Sequence, residues 1–451
     1  MLDPKVFKAY DVRGLYPSEL DEDGAARIGR AYVQHFEPKA VAVGRDMRVS
    51  SPTMAAALIE AIAAAGAEVV DLGLVGTEMV YFAVDDLSLD GGICVTASHN
   101  PKDYTGLKIV RRGALPVGGD SGLAEIRELA LSYEEPQVAD GSGRVREADI
   151  WPGFAQKVLS FVDPSAIRPL RVVVDAANGM AGVMLSPVLE QLPQLDVVRC
   201  NFEPDGTFPN HEPNPLLPEN REFVIRRTQE AGADLGVAYD GDADRCFFVD
   251  DTGEFVPGDF VTALLARSVL EREPGAKVIY DVRASWAVRR EIEEAGGVPL
   301  VNRVGHAFIK HRMRKEGAAF AGEVSAHYYF RDFAQADSGV VPFLLMLGLL
   351  SQTGRKLSEI LAPYRERYFL TGEINTPVAD VPLTLQELKE RYSAEGGRIS
   401  HLDGLSVDFD DLHFNVRPSN TEPLLRLNLE ALSHEVMQAR RDEVLGIIRG
   451  S

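Results

Sequence analysis

One phrase recurs along this chain: a short apolar run that ends in a polar or acidic residue and leads into a stretch able to form a helix. It reads V-A-V-G-R-D at 41–46, V-V-V-D-A-A-N-G at 172–179 and V-I-Y-D-V-R at 278–283. Runs of this length fit short buried strands. Strands alternating with helices argue for an α/β layer with a largely parallel sheet. Ser51-Pro52 opens a helix, as N-cap and first helical proline, and Gly66 closes it. E-V-V-D-L-G (68–73) and G-G-I-C-V-T (91–96) add two more strands. The three units, starting near residues 38, 170 and 276, predict a triplicated α/β domain whose strand ends carry Asp where such sheets meet their ligands.

At 451 residues the chain is too long for one compact core and divides into several domains. Glu134–Asp149, rich in charge, Gly and Pro, reads as the first linker. A hairpin-like turn at 250–259, followed by a helical run from Phe260, marks a second boundary. A third lies at Tyr368–Asp380, after a helix containing Leu357–Tyr364, and the remainder reads as a smaller α+β domain. The 68 Asp and Glu against 47 Lys and Arg, a formal charge of −21, exclude broad binding to nucleic acid or anionic membrane. Positive charge for any phosphorylated ligand must therefore be gathered locally. Cys94, Cys200 and Cys246 have no metal-like spacing and sit in or beside apolar runs, which fits buried thiols in a reducing cytoplasm. The N-terminal residues lack the apolar stretch of a signal peptide. The longest apolar run, Val340–Leu350, is interrupted by Pro342 and is too short to span a bilayer.

Four polar loops carry the chemistry. In D-G-D-A-D-R (240–245) Asp240, Asp242 and Asp244 alternate with small residues, so they point one way if extended and converge if looped. Such close like charges repel unless a cation sits among them, and oxygen ligands favour Mg²⁺ over Ca²⁺ or Mn²⁺; a solvated acidic turn is the plain alternative. A calcium-binding helix-loop-helix is excluded, because its sixth and twelfth positions would be Arg245 and Asp251 instead of Gly and Glu. Arg245 itself supplies a planar clamp for an arriving anion. T-A-S-H-N-P (96–101) offers Ser98 beside His99 at a strand end, as a nucleophile or phosphate carrier, or simply as a polar turn closed by Asn-Pro. G-E-V-S-A-H (322–327) puts Glu323, Ser325 and His327 on one side if extended, suited to a polyhydroxylated ligand or to an exposed edge strand. R-P-S-N-T-E-P (417–423) gathers Arg417, Ser419, Asn420 and Thr421 between prolines, as a phosphate nest or an ordinary turn. These loops contain no Walker-type sequence and no strand-linked G-x-G-x-x-G, so nucleotide binding has no support.

Together these four loops, in this order, resemble the α-D-phosphohexomutase family, with T-A-S-H-N-P similar to its phosphoserine loop, D-G-D-A-D-R to its Mg²⁺ loop, G-E-V-S-A-H to its sugar loop and R-P-S-N-T-E-P to its phosphate loop. F-K-A-Y-D-V-R-G (7–14) and Gly305-His306 with Ile309-Lys310 add to the resemblance. It implies four domains around a central cleft, three of one α/β topology and a C-terminal α+β domain: 1–148, 149–254, 255–368 and 369–451. It further implies interconversion of mannose 6-phosphate and mannose 1-phosphate, with glucose phosphates also accepted, through phosphorylated Ser98 and a hexose 1,6-bisphosphate. Phosphoglucomutase or phosphoglucosamine mutase activity, a metal-dependent sugar phosphatase and a catalytically idle sugar-phosphate binder are the alternatives. Implied as metal ligands are Ser98, Asp240, Asp242 and Asp244, as catalytic residues Ser98, His99, Lys108, Arg13 and His327. The implied substrate contacts are Tyr10, Arg245, Arg283, His306, Glu323, Ser325, Arg417, Ser419, Asn420 and Thr421. The expected cofactor is Mg²⁺, the activator a hexose 1,6-bisphosphate and the partner a phosphorylated hexose, with the protein a cytoplasmic monomer or dimer. Val324 and Ala326 depart from common family choices of Met and Gly, which leaves the sugar preference open, and Arg283 stands where some relatives carry Lys, which keeps the cation and alters its geometry.

Overall fold

The computed structural model describes residues 2–119, 121–132, 143–419 and 424–450. The chain gathers into two compact units, one of residues 1–256, 310–315 and 325–357, the other of residues 257–309, 316–324 and 358–451.

In the first unit the N-terminal sheet runs in the order Val12–Leu15, Tyr104–Arg111, Gly91–Val95, Ala40–Arg45, Glu68–Leu74, Val145–Glu147. Ala40–Arg45 is parallel to both its neighbours, whereas Tyr104–Arg111 runs antiparallel to the strands on either side of it. Gly91–Val95 is buried at every position, as a strand covered on both faces must be. The helix Glu22–Phe36, capped by Asp21 accepting from Gly24 N at 2.9 Å, packs Ile28 and Tyr32 into the same core as Leu58 and Ile62 of the helix Ser51–Ala64. A Cβ on Gly29 would stand 2.9 Å from Leu58 Cδ1 and 3.4 Å from Leu58 O, so a larger residue there would push the Leu58 side chain aside. The second sheet has the order Phe255–Val256, Cys246–Val249, Leu235–Tyr239, Arg171–Asp175, Asp196–Cys200, parallel across the last three strands and antiparallel across the first three.

Two expectations change. Ser50, not Ser51, precedes the helix, because the Ser51 hydroxyl is already committed to Asp46 Oδ1 at 2.5 Å. The linker expected at 134–149 falls mostly on residues 133–142, outside the described ones, but its end is a short strand pairing Val69 with Val145 in parallel. The hairpin turn near residue 250 is present, with Asp250 Oδ1 accepting from Thr252 N and Glu254 N, and the next helix starts at Gly258.

In the second unit Lys277–Asp281 lies parallel to Val298–Asn302 on one side and Phe320–Gly322 on the other. Ser285 caps the helix Trp286–Glu294 by accepting from Ala287 N at 3.0 Å. The C-terminal segment is an antiparallel sheet ordered Phe369–Pro377, Leu424–Ala431, Leu412–Pro418, Leu405–Asp408, Arg398–Ser400. Leu388, Tyr392, Phe414, Leu427 and Val444 form its core with the helices Val381–Ala394 and His434–Arg449.

One rule places the polar loops. Tyr239 is paired across an antiparallel ladder with Cys246, Val95 with Leu107 and Pro418 with Leu425. The Asp loop, the Ser98 loop and the segment after Pro418 are thus each the reversal between two hydrogen-bonded strands. The flanking strands fix the loop ends, and in the Asp loop the side chains between them converge.

Candidate active site

In the first unit two of the reversals meet. Ser98 has a φ of 51°, in the left-handed region that a non-glycine residue adopts only when its surroundings hold it there. The restraint is Arg48, fully buried, whose guanidinium donates to Ser98 O at 2.8 Å, Asn100 O at 2.6 Å, Pro101 O at 2.7 Å and Tyr104 O at 3.1 Å. Asp46 backs it at 3.4 Å. Arg13 adds a side-chain clamp, donating to Asn100 Oδ1 at 2.6 Å while paired with Asp11. With the loop so held, Ser98 Oγ donates to Asp240 Oδ2 at 3.0 Å across 142 residues of sequence and lies 3.3 Å from His99 Nδ1.

The Asp loop is fixed from the other side. Met180 N donates to Gly241 O at 2.9 Å, Thr77 N to Asp242 O at 3.3 Å, and the Thr77 hydroxyl to Asp242 Oδ2. A Cβ on Gly241 would sit 2.4 Å from Ser98 O, so the two loops abut backbone to backbone. Asp240, Asp242 and Asp244 are fully buried, and one oxygen from each falls within 4.8 Å of the others. They converge as a loop, with Ala243 at φ 60°. Lys108, on the strand Tyr104–Arg111, is buried and donates to Asp242 at 2.6 Å and Asp244 at 2.5 Å. Burial alone would lower its pKa, but the two carboxylates hold it above the ordinary lysine value. Burial and the charges of Asp244 and Asp242 push Asp240 well up, whereas Lys108 and His327 hold Asp244 well down against its burial. Asp242 Oδ1 and Asp244 Oδ1 accept no hydrogen bond among the described residues. Three converging buried carboxylates with open lone pairs and one shared cation suit a hard divalent metal ion.

Arg245 closes the cluster, its N–H donating to Asp240 Oδ1 at 3.2 Å and its Nε–H to His327 Nε2 at 3.3 Å. His327 Nε2 also lies 3.5 Å from Asp244 Oδ1 and 3.9 Å from Asp337 Oδ2. Behind it Lys310 is fully buried, 2.5 Å from Asp337 and 4.0 Å above the Tyr81 ring. Burial, followed by the charges of Arg245, Arg13 and Lys108, pushes His99 well below its usual value, which keeps it neutral. Ser325 Oγ is 3.4 Å from His327 Nδ1. The extended run expected at 322–327 is absent. Phe320–Gly322 is the strand and the chain turns through 324–326, with Ala326 at φ 64°, so alternation along a strand does not set the directions of Glu323, Ser325 and His327. Tyr10 lies in the bend before the first strand.

The second unit holds another polar centre. Arg283 is buried and forked onto Asp281, Nε to Oδ1 at 3.0 Å and Nη2 to Oδ2 at 2.8 Å. Its Nη1 reaches Glu373 at 3.4 Å, and the same carboxylate takes Arg417 Nη2 at 3.1 Å and Arg426 Nη1 at 3.1 Å. Arg426 Nη2 donates to Ser419 Oγ at 3.4 Å. Glu323, buried, accepts from Gly305 N at 2.9 Å, and His306 follows as the first residue of a helix. Asn420 and Thr421 lie outside the described residues.

The sequence reading missed Arg48, Thr77, Asp337, Glu373 and Arg426, and quoted Lys310 within the resemblance without giving it a place at the site. Arg48 and Arg426 sit at positions where a solvated arginine is the ordinary reading. A pairing of Leu412–Pro418 with Leu424–Ala431 places Arg426 directly across from Arg417, and that pairing is the signal that would have found it.

The chain matches the phosphoglucomutase/phosphomannomutase family in all four of its domains: alpha/beta/alpha domain I over residues 4–137, domain II over 152–253, domain III over 257–368 and the C-terminal domain over 373–447. It is 44% identical to a protein of Xanthomonas campestris pv. campestris named as phosphohexose mutases, over 98% of this chain and 99% of that one. It is 42% identical to a phosphomannomutase of Salmonella montevideo and 41% identical to one of Escherichia coli K12, each over 98% of both chains. Among solved structures, a phosphoglucomutase/phosphomannomutase family protein of Burkholderia thailandensis superposes with a TM-score of 0.90 at 33% identity, over 100% of this chain and 98% of that one. The Paramecium parafusin, at 16% identity and a TM-score of 0.79 over 98% of this chain and 94% of that one, shares the fold. With all four domains matched and more than 40% identity to relatives over nearly its whole length, the chain belongs to the phosphoglucomutase/phosphomannomutase family.

Proposed function

We propose that the protein is a phosphomannomutase that interconverts mannose 6-phosphate and mannose 1-phosphate, accepts glucose phosphates as well, and works through phosphorylated Ser98 and a hexose 1,6-bisphosphate. The observation that carries this reading is the contact of Ser98 Oγ with Asp240 at 3.0 Å, made beside two further buried carboxylates and Arg245. Relatives at 41–42% identity carry the name phosphomannomutase.

In one half-reaction the bond between phosphorus and Ser98 Oγ breaks as a sugar hydroxyl oxygen bonds to phosphorus. The hydroxyl gives up its proton, and the departing serine oxygen takes one up. The second half-reaction is the same step reversed with the sugar's other phosphate, so phosphoserine is restored. His327 and Lys108 are assigned to carry the proton, with Arg13 placing positive charge and neutral His99 offering a hydrogen-bond partner beside the serine. Arg245 sets a cation at the transferring group. Asp240, Asp242 and Asp244, with a phosphoserine oxygen, would hold Mg²⁺, which withdraws charge from the phosphoryl group when bound. Arg417, Ser419, Asn420 and Thr421 receive the substrate's other phosphate, and Arg283, His306 and Tyr10 contribute contacts to the sugar phosphate. Glu323 and Ser325 bond its 3- and 4-hydroxyls, which mannose and glucose share. A trace of hexose 1,6-bisphosphate keeps Ser98 phosphorylated.

No helix among the described residues is long and apolar enough to cross a membrane. Three buried free thiols fit a cytoplasmic setting.

The test is a coupled assay with Mg²⁺, trace glucose 1,6-bisphosphate and either mannose 1-phosphate or glucose 1-phosphate, run beside Ser98→Ala. Formation of the 6-phosphate that depends on bisphosphate and falls at least 10³-fold in the variant is the expected result. Release of inorganic phosphate without isomerisation would make the protein a phosphatase instead.

A further inference from the structure

The cluster around Glu373 contains an arrangement that phosphate docking alone does not explain. Arg417 and Arg426 are direct partners across the antiparallel ladder. Like charges placed directly opposite repel, and each guanidinium also leaves its Nε without a hydrogen bond among the described residues. Arg283 brings a third cation, fixed by its two-pronged contact with Asp281. The single carboxylate reaching all three is Glu373, at 3.4, 3.1 and 3.1 Å. It stands at an irregularity in its own strand, where the register with the neighbouring strand shifts between Leu370 and Glu373 and Gly372 has a φ of 66°. That irregularity re-aims the side chain toward the arginines.

We propose that Glu373 is a positioning residue of the phosphate nest: an internal anion that holds Arg283, Arg417 and Arg426 together and shares their charge with an arriving phosphate, so that docking stays reversible. The proposal rests on the reading of Arg417 and Ser419 as the phosphate-docking loop. With Glu373 absent, Asp281 alone would balance the three guanidiniums, and the two positive charges left over would grip a phosphate dianion tightly. A bisphosphate intermediate that must release one phosphate and present the other cannot tolerate such a grip. The carboxylate weakens the hold by one charge and keeps the arginines from splaying when the nest is empty.

The test titrates inorganic phosphate into the metal-free full-length protein by calorimetry, and measures KM and kcat for mannose 1-phosphate with Mg²⁺. Glu373→Gln keeps the shape and removes the charge. It should tighten phosphate about tenfold and lower KM together with kcat, because one close charge contact of about 1.4 kcal/mol is one decade of affinity. Glu373→Asp, which keeps the charge, should restore most of kcat. Weaker phosphate binding in Glu373→Gln, with raised KM and unchanged kcat, would reduce Glu373 to a scaffold, and no change would make it a bystander; either result overturns the proposal. Arg417→Ala separates the two readings. If it leaves phosphate affinity unchanged, the docking loop itself is wrongly assigned, whatever Glu373 does. Should Glu373→Gln fail to fold, as judged by circular dichroism, Glu373→Asp decides on phosphate affinity alone: its shorter reach should give intermediate tightening with kcat near that of the parent protein, and unaltered affinity would sink the idea.

Discussion

Lys108 shows how much a single side chain can change meaning between sequence and structure. In G-L-K-I-V it reads equally as a solvated lysine on an apolar strand, yet it is buried and paired with Asp242 and Asp244. It neutralises carboxylates that otherwise face each other in a medium of low polarity. Lys108→Met should therefore destabilise the metal-free protein by about 3 kcal/mol, the cost of leaving a buried charge without its partner. Millimolar Mg²⁺ should recover most of that loss, since a cation that binds only the folded state stabilises it by mass action. Thermal unfolding with EDTA and with Mg²⁺ checks this, and an equal loss in both would leave Lys108 a packing role only. The three aspartates, Ser98, His99 and Arg417 were legible as residues because chemistry demands those types close together in sequence. Arg48 and Glu373 were not, because each acts on a loop far away in the chain, and their partners are backbone carbonyls or arginines that only the folded register brings near.

At the scale of elements, the helix starts are where charge is stored. Asp259, in the first turn of Gly258–Arg272, accepts from Ser285 N at 3.0 Å, the cap of the next helix, and Trp286 N donates to Glu430 Oε1 at 3.2 Å. Burial first, and then the charge of Glu430, pushes the Asp259 carboxyl up to about 7. An acid whose pKa is about 3.9 unfolded and higher when folded binds more protons in the folded state. Its contribution is present in full below about pH 4, is lost as pH rises toward 7 and is constant above that. The second unit should accordingly lose on the order of 4 kcal/mol across that window from this group. Asp259→Asn should flatten the slope of urea midpoint against pH between about 4 and 7; a slope unaltered in the variant would clear Asp259. The alternation of strands and helices was readable because a strand buried on both faces has to be continuously apolar. The short strand Val145–Glu147 was not, being an exposed edge whose residues look like linker, nor was the turn at 324–326, where Ala326 takes a left-handed conformation that its side chain does not advertise.

For the molecule as a whole, the surplus of negative charge and the local pooling of arginine go together: in a chain of net charge −21, Arg283, Arg417 and Arg426 are gathered on Asp281 and Glu373, and under the proposed function these guanidiniums take the phosphate. The division into two units gives the three cysteines an unplanned use. Cys94, Cys200 and Cys246 are all buried and all belong to the first unit, and the second has none. A thiol reagent therefore reads the opening of one half of the protein and is blind to the other. In rising urea, labelling followed by mass spectrometry should stay at zero adducts until the first unit opens and then reach three, while in a Trp151→Phe background the fluorescence of Trp286, from the second unit, follows its own transition. Coincident midpoints would show that the two halves open together; separated ones would give each half a stability of its own, read out without adding a single label by mutation.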